Sequence, residues 1–117
     1  MTHFAMSHEF CQSLESGIAL FNQQKFFEAY ELWQQAWEVE EGDAGDLLQG
    51  LLQLAFACHK LSLDEPQGVL KLLEHAEAKL MTYAPEAYDL DIAALLSLIQ
   101  EWKGRAQEKV IQRDTVH

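Results

Sequence analysis

Apolar residues recur along this chain at three- and four-residue intervals, with short polar breaks between the runs. That is the spacing of helices that bury one face. Phe10, Leu14, Ile18 and Phe21 make the first run, and Ser7 is placed to cap it. Asn22 to Lys25 is a polar break. A second helix is expected from about Phe26 to Glu40, with Phe26, Ala29, Tyr30, Trp33, Ala36 and Trp37 along one face as a row of core residues. Residues 40–46, EEGDAGD, interrupt it, with Gly42 as terminator and Asp43 or Asp46 as the next cap. The third helix, about Asp46 to Leu61, is apolar nearly all round, leaving a narrow stripe of Gln49, Gln53 and Lys60. Such a helix is surrounded by others and belongs at the centre of the fold.

The fourth helix is expected to start with Asp64 as its cap, Pro66 in the first turn and Gln67 three residues after the cap. It runs to about Met81 with Val69, Leu70, Leu73, Ala76 and Leu80 inward, and Tyr83-Ala-Pro-Glu breaks it. Asp89 or Asp91 opens a fifth helix carrying Ile92, Leu95, Leu96, Ile99 and Trp102. No segment alternates at period two for long enough to make a strand. The expected class is all-α, five helices in a single domain over 1–117, with its core between 7 and 102 and a frayed basic tail over 103–117.

A shift of forty residues brings Leu14, Gly17, Ile18 and Phe21 onto Leu54, Ala57, Cys58 and Leu61, and Ala29, Trp33 and Ala36 onto Val69, Leu73 and Ala76. Small residues at Gly17, Ala29 and Ala36 permit close approach of two helices, with Trp33 filling the gap beside them. This is the pattern of two tetratricopeptide-like hairpins, the fifth helix acting as a lid.

Charge narrows the partners. Eight basic against nineteen acidic residues give a net charge of −11, which repels a phosphate backbone and makes nucleic acid an unfavourable partner. No apolar run reaches the roughly 20 residues of a membrane span. Cys11 and Cys58 fall within helical apolar patterns and read as reduced core thiols, and the first residues show no basic region followed by an apolar core. A cytoplasmic setting is expected. Lys103, Arg105, Lys109 and Arg113 form a local basic run, read as a solvated tail with a contact for an acidic partner as the functional alternative.

Phe21-Asn22, Phe27, Ala29, Glu31, Trp37, Gln49-Gly50-Leu51-Leu52-Gln53, Ala55 and His59 stand in the order of a recognisable pattern, and Gly68 falls in its turn region. From about Leu14 to Leu80 the chain resembles the family catalogued as domain of unknown function 309. The family pattern is a Phe-Asn, then Phe-x-x-Ala-His-Glu-x-x-Glu-x-x-Trp, then Gln-Gly-Leu-Ile-Gln-x-Ala and a His. The resemblance implies a small all-helical bacterial protein and conveys fold better than function. Two positions depart from the pattern: Tyr30 stands at the His position and Gln34 at the second Glu position. An imidazole with two carboxylates can serve as metal ligands or acid–base groups, whereas Tyr30, Glu31 and Gln34 retain a single carboxylate.

The residues that carry candidate chemistry are therefore Tyr30, Glu31, Gln34 and His59 between the second and third helices, with Gln49 and Gln53 on the polar stripe of the third. One reading is a pocket in which Glu31 acts as base or ligand beside His59; the other is a polar network that fixes helix register. One carboxylate and one His fall short of the three protein ligands of a catalytic zinc, so no metal and no cofactor is expected. The acidic loop Glu38, Glu40, Glu41, Asp43 and Asp46 lacks calcium-loop spacing. His3, His8, His75 and His117 form no ligand pair. Phe27 and Leu32 lie off the core face and, with Trp102, are expected to leave an apolar patch suited to self-association. The reading reached is a non-catalytic module holding a protein partner or a second copy. The alternative is a metal-dependent or acid–base enzyme around Glu31 and His59. The lost groups weigh against the enzyme without deciding the matter.

Overall fold

The computed structural model describes residues 8–115, with side chains described as far as residue 111. Ser7, the expected first cap, and the Arg113 side chain lie outside the described residues. Five helices carry the fold: α1 (His8–Asn22), α2 (Phe26–Trp37), α3 (Gly42–Ser62), α4 (Val69–Met81) and α5 (Ile92–Thr115). The protein is all-α. The extended backbone described is a small antiparallel hairpin of β1 (Glu86–Ala87) and β2 (Leu90–Asp91), whose two-residue strands are too short to leave an alternating pattern.

Each helix packs chiefly on its neighbours in sequence, and α5 closes the array against α4. At the centre is α3, where Leu47, Leu48, Leu51, Leu54, Ala55, Ala57, Cys58 and Leu61 are all buried. Its nearly continuous apolar surface is covered by α2 on one side and α4 on the other. Cys58 is free and buried, and burial pushes its thiol up.

Two close approaches set the helix pairs. Gly17 of α1 lies under the Trp33 indole, so near that a methyl at Gly17 would sit 2.0 Å from Nε1. The same Nε1 donates to the Ser13 carbonyl at 3.0 Å, holding the ring in place. On the other side of α3, a Cβ at Gly50 would come within 3.0 Å of Lys79 Cβ and 3.1 Å of Leu80. Gly50 thereby lets α3 and α4 cross closely, which is a structural reason for a glycine inside the Gln49–Gln53 motif.

The connections correct the expected caps. After α1, Gln24 takes a left-handed φ of 64°, its N–H bonds Phe21 O, and Lys25 N–H bonds Leu20 O. After α3, Asp64 takes φ 60°, its N–H bonds Leu61 O, and Glu65 N–H bonds Lys60 O. Both are Schellman-type endings, so Asp64 closes α3 and does not cap α4. The residue preceding α4 is Gly68, in the left-handed region at φ 80°. Likewise Gly42, expected to end the second helix, is the first residue of α3, which begins four residues earlier than the Asp46 start. Glu38 already closes α2, at Trp37.

Past α4 the chain goes through a cis Ala84–Pro85 bond into the hairpin, where Tyr88 and Asp89 both have positive φ. The Tyr88 ring meets Phe10 of α1 edge-on at 5.2 Å. Asp91 then accepts the Ala94 N–H at 2.9 Å and caps α5. The basic segment from Lys103 lies within α5, which runs to Thr115. Ala106 is buried there, Lys103 reaches Glu77 at 2.6 Å and Lys109 reaches Asp64 at 2.9 Å, which ties the helix to α4 and the α3–α4 turn.

Candidate functional site

The turn closed by Gln24 delivers the chain into α2 with Phe26 buried and Phe27 pointing the other way, 42 % exposed. One turn on, Tyr30 brings its ring to 5.8 Å from Phe27. On the antiparallel neighbour α3, Phe56 and His59 have the same three-residue spacing and meet the first pair. Phe27 and His59 centroids lie 4.9 Å apart, Tyr30 and Phe56 5.1 Å, and Phe56 and His59 6.3 Å. Four rings thus join into one platform on the outer flank of the α2–α3 pair, with Tyr30, Phe56 and His59 half-buried. Their planes are tilted by 33–42°. The rings pack on one another and enclose no box.

Glu31 follows Phe27 by one helical turn and is exposed; Gln34 follows Tyr30 by one turn and is half-buried. Of the expected cluster, Tyr30 and His59 come together through Phe27 and Phe56. No hydrogen bond or ion pair between described residues joins Glu31 to His59. Nor, among the described residues, is there a group of three or more His, Cys, Asp or Glu side chains placed to hold a metal ion.

Gln53 belongs elsewhere. It lines a cleft of about 480 Å³ between the start of α3 and the end of α4, with Asp43, Asp46, His75, Lys79 and Tyr83. Its Oε1 is buried with no donor among the described residues. Tyr83 donates to the Asp43 carbonyl at 3.0 Å, and Lys79 lies 3.6 Å from Asp46. Burial and the two carboxylates push the Tyr83 pKa up to about 12. Gln49, one turn before Gln53, is half-buried on α3.

The electrostatics of the two faces differ. The ion pairs among described residues are Lys79–Asp46, Lys103–Glu77, Arg105–Glu101 and Lys109–Asp64, all on α3, α4, α5 and the turn after α3. None involves α2, whose Glu28 and Glu31 are exposed. The chain has no Lys or Arg between Lys25 and Lys60. Beside the aromatic platform, Glu31 is thus an exposed carboxylate with no ion pair among the described residues, while Lys25 and Lys60 stand at the end of the α2–α3 pair where Phe27 meets His59.

Two aromatic expectations change. Trp102 does not join Phe27: it lies half-buried and edge-on to Phe26 at 5.5 Å, with the Arg105 guanidinium 4.9 Å over its ring. Trp37, expected in the core row, is 40 % exposed because it closes α2, rotated past Trp33 toward the edge. Phe56 belongs by its spacing to the apolar surface of the central helix, and only the pairing of α2 with α3 shows it beside Tyr30. Its three-residue step to His59 is the one signal of this in the residue order.

Among known proteins, a family model described as Domain of unknown function (DUF309) matches residues 14–72. That span holds the whole aromatic platform and the α2–α3 pair. No curated protein matches the chain.

Proposed function

The chain belongs to the family described as domain of unknown function (DUF309), and from that premise we propose that it is a non-catalytic helical interaction module. Its docking face is the outer flank of α2 and α3. The observation that carries this reading is the ring platform of Phe27, Tyr30, Phe56 and His59, with Phe27 left 42 % exposed above its half-buried neighbours. Covering such rings releases water from apolar area at about 25 cal/mol per Å², and aromatic anchors dominate protein interfaces. On this reading α1–α2 and α3–α4 are tetratricopeptide-like hairpins that present the face, and the protein works in the cytoplasm, apart from nucleic acid. Among the described residues no helix is long and apolar enough to cross a membrane.

The enzyme reading around Glu31 and His59 requires the two side chains to act together, and they share no bond in the structure. A photo-crosslinking residue placed at position 27 in cells, against a control at Glu15 on α1, tests the docking face. A discrete adduct from position 27, weakened by Phe56→Ala, is expected. No adduct above the control, in protein that sediments as a monomer, would sink the proposal.

A further inference from the structure

We infer that the occupant of the α2–α3 face is a cationic segment of a partner protein, its Arg or Lys side chains laid over the rings and answered by the α2 carboxylates. This rests on the docking-face reading above and names the partner's chemistry. The first support is charge. At −11 overall the chain attracts cations over distance, and the segment 26–59 holds no Lys or Arg, with Lys25 and Lys60 just outside it at the Phe27–His59 end. The second is local. Glu31 stands one turn from Phe27, and among the described residues neither Glu28 nor Glu31 makes an ion pair, while the four described pairs all lie off α2. The exposed Glu31 carboxylate one turn from the exposed Phe27 ring offers a guanidinium two contacts at once.

The same two-point arrangement already exists inside this chain. Arg105 lies 4.9 Å over the Trp102 ring while its Nη2 donates to Glu101 at 3.2 Å. The α2–α3 face sets the Phe27 ring one turn from the Glu31 carboxylate, and among the described residues no Lys or Arg lies over its rings. Its rings are stacked into a platform and form no cage, which suits a peptide lying across them better than a lone small ammonium ion. Two copies of this chain, each at −11, repel one another, so a second copy is the poorer fit.

The test uses the full chain and two short amphipathic peptides identical except that arginine in one is glutamine in the other. Affinity is read by fluorescence anisotropy and the contact surface by NMR shifts. The arginine peptide should move signals of residues 27–31 and 56–59, and the glutamine peptide should bind about tenfold more weakly. Phe27→Ala and Glu31→Gln should each weaken the arginine peptide severalfold, with Glu31→Gln also flattening its salt dependence. Glu15→Gln, exposed on α1, should change nothing. Equal binding of both peptides at the face overturns the cationic inference and leaves the docking face standing. Arginine-peptide binding that is unchanged by Phe27→Ala, or reduced equally by Glu15→Gln, is diffuse adsorption and overturns both. Because Phe27 and Glu31 are exposed, thermal melts should confirm that both variants fold.

Discussion

Trp33 shows how much of the packing rests on single side chains. Its indole fills the space above Gly17 and is pinned by the hydrogen bond to Ser13 O, so it cannot swing aside without losing that bond. Gly17→Ala should therefore destabilise the protein even though alanine favours helix. Overpacking and a strained hydrogen bond outweigh the propensity gain, for a net loss of about 1–3 kcal/mol by urea denaturation. A neutral or stabilising result would show that the contact is looser than the structure has it. The small-residue pattern at Gly17 and Ala29, with Trp33 beside them, was legible in the sequence because only a close helix pair needs it. Tyr83 was not, since its bond to Asp43 spans forty residues. Its pKa is raised to about 12, so the folded protein keeps this proton while the unfolded chain loses it near 10. The stability it contributes is fully present below about pH 10 and is lost between about 10 and 12. A phenolate absorbance titration should show a late phase that Tyr83→Phe diminishes, the remainder belonging to Tyr88, which burial and Asp43 also push up.

Among elements, the forty-residue echo reaches further than the side chains that first showed it. The left-handed Gln24 and Asp64, and the hydrogen bonds Lys25–Leu20 and Glu65–Lys60, are related by the same shift. The helices α1 and α3 thus end in one backbone motif, and a buried residue, Phe26 or Pro66, stands two positions past each left-handed turn. A non-glycine residue in this conformation carries a steric cost. Gln24→Gly should relieve it, raising stability by up to about 1 kcal/mol in chemical denaturation; a loss of stability would mean that Gln24 is not the helix terminator. At the opposite kind of end, Asp91→Ala removes the acceptor for Ala94 N–H and should cost about 1 kcal/mol. Periodicity located all five helices, whereas cap assignment failed at Asp64 and Gly42. Asp and Gly suit both the end of one helix and the start of the next, and only the backbone path chooses between them.

For the molecule as a whole, the organisation around α3 has a kinetic consequence. Its buried face is covered from both sides by α2 and α4, so its amides should exchange only through global unfolding. Hydrogen exchange should rank Leu47–Leu61 as the slowest segment. The distal half of α5, held at Ala106 and by two side-chain bridges to Glu77 and Asp64, should exchange through local opening. Exchange of α3 as fast as α5 would contradict the central placement. The same layout separates two regions that share the α3 helix: the aromatic flank toward α2, and the Gln53 cleft toward α4.

What the sequence determined by itself is the all-α class, the five helices and the identity of the buried one, since helical burial repeats every three to four residues and leaves that period in the residue order. The family resemblance, matched over residues 14–72, was legible for a similar reason, being carried by residues in fixed spacing. Which surface residues lie side by side was set by the packing of the helices. Phe27 and Phe56 are twenty-nine positions apart in the numbering, and Gln53 shares a stripe with Gln49 but faces another helix. Surface neighbours across two helices depend on crossing angle and register, which packing of the buried faces sets and no local spacing records.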